Sequence, residues 1–328
     1  MARLRRADPA KPGYGRRRRG RGVTFLDEQG RPIRDEQEVR RLRELVIPPA
    51  WRDVWICPDP RGHIQATGMD DAGRKQYLYH PLWRVMRDRA KFDHVLEVAR
   101  RLPELRRRVN GDLRGPGLSR CRVLAAATRL LDMGMFRIGS DEYATGEEPT
   151  FGVATLRPDH VRGARGCVVL EYPAKGGIEQ ARRVADGEVC RVLRDLRRRR
   201  HAAERLFGYW DGERWYDVHA EDVNAYLREV SELDMTAKDF RTWHATVRAA
   251  TTLAATGPSR SETGRKRAVS AAMREVAELL GNTPAVARAS YVDPRILDLY
   301  RDGRLDPDLP RSGPAAEQAV LDLLSPEG

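Results

Sequence analysis

The hydrophobic pattern of this 328-residue chain turns from mainly strand-like to mainly helical near Pro81, and that change limits the fold more than any other feature. Between Trp51 and Tyr79 the pattern is that of short strands. Val54 to Cys57 and His63 to Thr67 flank the turn-forming Pro58-Asp59-Pro60-Arg61-Gly62, which predicts a hairpin, and a polar turn at Asp70-Asp71-Ala72-Gly73 leads into a further strand, Gln76 to Tyr79. From Pro81 onward helical spacing dominates. Trp83, Met86, Ala90, His94 and Val98 fall on one face, and Cys121 to Met133 reads as a helix closed by Gly134. Helices are also predicted over 187–206, 220–231, 236–254, 266–280, 283–291 and 315–324, with Thr236 and Asp239 as a capping pair and Pro284 in a first turn. Cys167 to Tyr172 is an apolar strand before the turn Pro173-Ala174-Lys175-Gly176-Gly177. Ahead of the β-like stretch come a short strand, Val23 to Leu26, and a helix, Asp35 to Val46, ended by Ile47-Pro48-Pro49. The pattern predicts an α+β chain in three parts: a disordered basic arm over 1–22, a small β-rich domain over 23–90, and a larger, mainly helical domain over 91–328. No internal repeat is present.

Charge narrows the function. The net charge is +12, but it is unevenly spread: residues 1–22 hold nine basic side chains and one acid, so this segment carries +8 and the rest only +4. Arg, Gly and Pro without apolar periodicity make the arm read as unfolded chain that binds phosphate by counterion release. No stretch of about 18 apolar residues is present, and nothing apolar follows the basic N-terminus, so neither a membrane span nor a secretory leader is expected and the chain is placed in the cytoplasm. Cys57, Cys121, Cys167 and Cys190 are scattered without metal or disulfide spacing. Neither a phosphate loop nor a His-Glu-x-x-His or Gly-x-Ser-x-Gly motif occurs, so no metal and no nucleotide cofactor is expected. Asp141, Glu142, Glu147 and Glu148 read as a solvated loop.

Four short segments are unusual for a purely structural protein. Gly134-Met135-Phe136-Arg137-Ile138-Gly139 sets a planar cation among apolar residues at a helix end, where its fork could meet a phosphate. Lys175 lies at the tip of the inferred hairpin, and Gly176 and Gly177 permit close approach to a duplex. Lys238-Asp239-Phe240-Arg241 puts two cations at a helix start, against the helix dipole, as a bound phosphate would require. Gly281-Asn282-Thr283-Pro284 precedes Ala289-Ser290-Tyr291, with the tyrosine near the end of a short helix.

The order Arg137, Lys175, Lys238-x-x-Arg241, Asn282, Tyr291 resembles the poxvirus-like and bacterial type IB topoisomerases. So do Ile47-Pro48-Pro49-Ala50-Trp51, Gly62-His63-Ile64-Gln65-Ala66-Thr67-Gly68, Gly73-Arg74-Lys75-Gln76-Tyr77 and Tyr79-His80-Pro81-Leu82-Trp83, which look like that family's DNA-clamping domain. The resemblance spans roughly 47–302. It implies a clamp domain and a helical catalytic domain of the DNA breaking-rejoining type, with double-stranded DNA as the substrate of a monomer working at the nucleoid. Tyr291 would be the nucleophile that forms a 3′-phosphotyrosyl link. Arg137 and Arg241 would neutralise the transition state, and Lys175 would protonate the departing 5′-oxygen. Asn282 stands where many members carry His; it can donate a hydrogen bond but cannot carry charge. Gly139 and Lys238 match supporting positions, and Arg74, Lys75, Tyr77, Tyr79 and His80 match a DNA-contacting region. The basic stretches 84–91, 106–108 and 197–200 would track phosphates.

Two other readings share some of these features. Tyrosine recombinases use the same nucleophile, but they resemble one another in a His-x-x-Arg where this chain has Lys238-x-x-Arg241. A non-enzymatic DNA-binding protein would depend mainly on the basic arm.

Overall fold

The computed structural model describes residues 3–20, 22–164, 167–199 and 204–325, with Arg19 and Cys167 described by backbone alone. The architecture is α+β, in two compact units that part between Phe92 and Asp93, against the boundary after residue 90 read from the pattern.

The first unit is a five-stranded antiparallel sheet with one covering helix. Its strands are β1 (Tyr14–Arg19), β2 (Gly22–Leu26), β3 (Arg52–Ile56), β4 (Ile64–Met69) and β5 (Lys75–Tyr79), in the order β2-β1-β3-β4-β5. Helix α1 (Glu36–Glu44) starts where the Asp35 carboxylate accepts hydrogen bonds from the Gln37 and Glu38 N–H groups, and its buried Leu42 clusters with Phe25, Ile47, Ile56 and Ala66.

The basic arm is the main departure from expectation. Instead of free chain, Tyr14–Arg19 forms an interior strand between β2 and β3. Arg16 donates to the carbonyl oxygens of Ile47 (2.9 Å), Pro48 (2.9 Å) and Trp51 (2.8 Å), replacing water on three backbone groups of the Pro-Pro loop. Nearer the terminus, the His63 N–H donates to the Arg5 carbonyl (2.9 Å), the Ala7 N–H to His63 Nδ1 (3.0 Å) and the Trp55 indole N–H to the Lys11 carbonyl (2.9 Å). A run of arginines carries no apolar alternation. Its strand is held by ladder bonds and by carbonyl acceptors elsewhere, which periodicity does not report. Arg21 lies outside the described residues.

Helix α2 (Pro81–Leu113) crosses the division between units, running through Pro103 and past the glycine at 111, because Val95, Leu102, Leu105, Val109 and Leu113 stay on a buried face. The second unit continues with α3 (Arg120–Asp132), then a three-stranded antiparallel sheet, β6 (Val161–Ala164), β7 (Cys167–Ala174) and β8 (Ile178–Val184), and α4 (Gly187–Arg198). A small hairpin, β9 (Gly208–Trp210) and β10 (Trp215–Asp217), leads into α5 (Ala220–Ser231) and the long α6 (Ala237–Thr256). The chain closes with α7 (Glu262–Leu280), α8 (Pro284–Ser290), α9 (Pro294–Arg301) and α10 (Gly313–Leu324). Helix α6 is the centre of the core: Phe240, Trp243, Ala245, Ala249, Ala250 and Leu253 are all essentially inaccessible. The helix read over 187–206 stops at Arg198, and residues 200–203 lie outside the described residues.

Candidate active site

The segment from Met135 to Gly139 is fixed by close backbone approach. Val153 N–H donates to the Arg137 carbonyl (2.8 Å) and Ala154 N–H to the Ile138 carbonyl (2.7 Å). Gly139 sits at φ +87°, where a Cβ would meet Thr155 Oγ1 at 2.7 Å; a Cβ on Gly152 would meet the Gly139 nitrogen at 2.4 Å. Only glycines allow this packing, and it sets the direction from which Arg137 enters the site.

Helix α6 presents the second arginine. Asp239 accepts from the Thr236 N–H (2.8 Å) and hydroxyl (2.9 Å), so the helix start is capped as the sequence predicts. That occupies the carboxylate next to Lys238, whose ammonium then finds no carboxylate among the described residues. Arg241 follows in the second turn, only 4% exposed. It donates to the Leu280 carbonyl (2.8 Å) and the Met135 carbonyl (3.3 Å), and its Nε is buried without a partner among the described residues.

The end of α7 gathers these groups. Gly281 takes φ +60° and closes the helix, leaving its last carbonyls as acceptors. Arg137 donates to the Gly281 carbonyl (3.0 Å) and to Asn282 Oδ1 (2.6 Å), which leaves the Asn282 amide nitrogen buried and unpaired among the described residues. Thr283 caps α8 by accepting from Val286 N–H, and the helix ends at Ser290. Tyr291 therefore stands just past the helix, in a non-helical conformation (φ −132°, ψ −23°), where the sequence pattern put it in the last turn.

The Arg241 guanidinium lies 5.3 Å from the Tyr291 ring centroid. Arg137, Gly139, Lys175, Lys238, Arg241 and Tyr291 line one cavity of about 540 Å³, and Asn282 joins them through Arg137. Lys175 is exposed at the tip of the β7–β8 hairpin, followed by Gly176 and Gly177 at φ +85° and +69°. Burial works to raise the Tyr291 phenol, but the nearby positive charges of Arg241, Arg137 and Lys238 outweigh it, and the phenol is held below its ordinary value. Burial and the like charge of Arg137 lower Arg241 to about 10. Such a site favours an anion: its two arginines are partly desolvated, its two lysines are exposed, and none of the four has a carboxylate partner among the described residues. It can stabilise the negative charge of a phenolate and that of a pentacoordinate phosphorus together.

Sequence reasoning missed several supporting residues. Gly152 and Thr155 carry the backbone contact with Gly139. Tyr172, buried on β7 beside Arg182, Arg241 and Arg137, has its phenol pushed up to about 12 by desolvation. Their signal is tertiary, and no short motif marks them. Asp141, read as part of a solvated acidic loop, accepts from Arg205 (2.7 Å) and pairs with His219 (2.9 Å).

The five residues read as DNA contacts in the first unit divide. Tyr77 and Tyr79 stack with ring centroids 6.0 Å apart on the edge strand β5, and Lys75 Nζ lies 5.8 Å from the Tyr77 ring. Arg74, still largely exposed, pairs with Asp70 (2.9 Å), and His80 Nδ1 accepts from the Leu82 N–H (3.1 Å) at the start of α2. In the second unit Arg106 does not track solvent phosphates as read: it is held between two carboxylates, Asp132 and Glu317.

Comparison with known proteins places the chain beside a known family. A family model described as eukaryotic DNA topoisomerase I, catalytic core, matches residues 80–299, and one described as bacterial DNA topoisomerase IB, N-terminal domain, matches residues 22–70. The chain is similar to the DNA topoisomerase 1B of Acanthamoeba polyphaga mimivirus, 29% identical over 274 residues that cover 81% of each chain. Among the described residues no helix is long and apolar enough to cross a membrane.

Proposed function

The chain belongs to the type IB DNA topoisomerases, isomerases that act on DNA, and from that premise we propose a reversible transesterification centred on Tyr291. The phenolic oxygen attacks a backbone phosphorus of one strand. The Oη–P bond forms and the P–O5′ bond breaks, leaving a 3′-phosphotyrosyl ester. The phenol proton passes to solvent, and the departing 5′-oxygen takes a proton from the Lys175 ammonium. Arg241 Nε, the free edge of Arg137 and the Asn282 amide nitrogen donate to the non-bridging oxygens as charge builds, and Lys238 adds positive field from the start of α6. Reversal of the same steps reseals the strand. The ester conserves the energy of the phosphodiester, so resealing needs no ATP, and the arginines supply charge stabilisation without a metal. Between the two steps the free 5′ end swivels and supercoils relax.

The reading rests chiefly on one observation: Tyr291 lines the same cavity as four cations without carboxylate partners among the described residues, with Arg241 on its ring. It extends to a monomer that grips duplex DNA of the nucleoid with the Lys75, Tyr77 and Tyr79 edge of the first unit, where stacked rings beside a cation suit a nucleic-acid surface. In EDTA without ATP, wild-type protein should relax negatively supercoiled plasmid, and Tyr291→Phe should bind the plasmid but leave it supercoiled. Relaxation by the variant, or a strict need for ATP or metal in wild type, refutes the scheme.

A further inference from the structure

Away from the cavity, a largely buried ionic network joins the C-terminal helix to the supports of both arginines. Arg106 on α2 donates to both carboxylate oxygens of Asp132 (2.8 and 2.8 Å) and, from the other side of its fork, to both of Glu317 on α10 (2.8 and 3.0 Å). Asp132 ends α3 and is 8% exposed. Its Oδ1 lies 3.4 Å from His244 Nε2, and His244 is three residues beyond Arg241 on α6. Just after Asp132 comes Gly134 at φ +77°, where a Cβ would meet the His244 Cβ at 2.7 Å; the Met135 carbonyl then accepts from Arg241 and the chain reaches Arg137. Asp132 thus touches the carriers of both arginines, and it is held by Arg106, with Arg129 3.9 Å away, while Glu317 occupies the other side of the Arg106 fork.

The network adds geometry more than stability. Helix α10 is already anchored by buried Ala316, Val320, Leu321 and Leu324 and by Arg100 donating to Ser325 Oγ (2.9 Å). A buried ion pair replaced whole by apolar side chains loses little net stability, whereas removing one partner costs more, moderated here because Arg106 keeps Asp132; a two-sided bidentate fork also fixes position and angle. The family match ends at residue 299, before α10 begins at Gly313.

We propose that α10 is a positioning element of the active site, with Glu317 acting through Arg106 and Asp132 to hold Arg137 and Arg241 in the geometry that grips a phosphate. The proposal rests on the reading that these arginines bind the reacting phosphate. Glu317→Met and Glu317→Gln in the full chain test it, through melting temperature, duplex affinity, the rate of covalent-complex formation at saturating duplex, and binding of inorganic phosphate to the free protein. Glu317→Met should stay folded, melting somewhat below wild type, and bind duplex with affinity within about two-fold, yet form the complex roughly ten- to a hundred-fold more slowly even well below its melting temperature, the loss expected of a small misplacement. Glu317→Gln, which keeps the shape and one acceptor oxygen, should fall between Glu317→Met and wild type. Phosphate affinity should drop in Glu317→Met, as it should in Arg137→Ala. A wild-type rate and wild-type phosphate affinity in a folded Glu317→Met overturn the proposal, as does a slower rate that merely follows a lowered melting temperature and disappears on cooling. If wild type forms no covalent complex, the Tyr291 reading fails by itself, while phosphate binding by Glu317→Met against wild type still decides the role of α10.

Discussion

Two tyrosines lie close to the same arginine pair, and their phenols are shifted in opposite directions. Tyr172 is buried on β7, and desolvation, which the nearby arginines only partly offset, pushes its phenol up to about 12. Tyr291 is less enclosed; there the cations win and the phenol is lowered. Removing a cation must therefore raise the Tyr291 phenol, so a higher pH is needed for the same ionised fraction. In Arg241→Ala the rising limb of the cleavage-rate profile should move to higher pH, and the plateau should fall roughly 10²- to 10³-fold, as for removal of one transition-state donor. Arg241→Lys keeps a charge but not the fork, so its limb should stay nearer wild type while its plateau still drops. Single-turnover cleavage across pH checks both. A limb that stays in place in Arg241→Ala would mean that ionisation of Tyr291 does not control the rate.

At the scale of elements, the legible parts were those whose cause is local. Thr236 and Asp239 mark the start of α6, Pro284 marks α8, and the Gly-rich turn after Lys175 marks the β7–β8 hairpin; each depends on residues a few positions apart. The arginines and the tyrosine became candidates through short local segments whose joint order resembles the type IB topoisomerases, no single segment being specific. What held them could not be picked out, because it is set by groups distant in sequence. The Gly139–Gly152 approach spans a loop, and the short strands β6, β9 and β10 have too few residues to show a period. Gly139→Ala would add strain at positive φ and a 2.7 Å clash with Thr155 Oγ1. It should cost about 1–3 kcal/mol in stability. It should also slow cleavage far more than it weakens DNA binding, because the misplaced group is Arg137. Gly163→Ala, where a Cβ meets nothing within 4 Å, is the control and should be close to neutral. Thermal melting with single-turnover cleavage compares the two; equal effects would remove the Gly139–Gly152 approach from the account of the site.

For the whole molecule, the distribution of charge misled where backbone pairing decides. The first 20 residues carry eight basic side chains and one acid, so deleting them takes +7 from a chain of net +12. If they were a detachable tail, deletion would leave the first unit folded and reduce the slope of log affinity against log salt by roughly 0.9 for each phosphate no longer neutralised. The structure gives a different expectation. Strand β1 lies between β2 and β3, so its removal leaves β2 without its ladder and strips Arg16 from three carbonyls. Backbone groups left unpaired in this way destabilise the whole sheet. The deletion should therefore lower the melting temperature of the first unit and speed amide exchange in β3, while the helices packed around α6 in the second unit keep their protection. Hydrogen exchange resolved by segment separates the cases. Unchanged protection in β3, with only a shallower salt dependence, would return the arm to the role of a phosphate-binding tail.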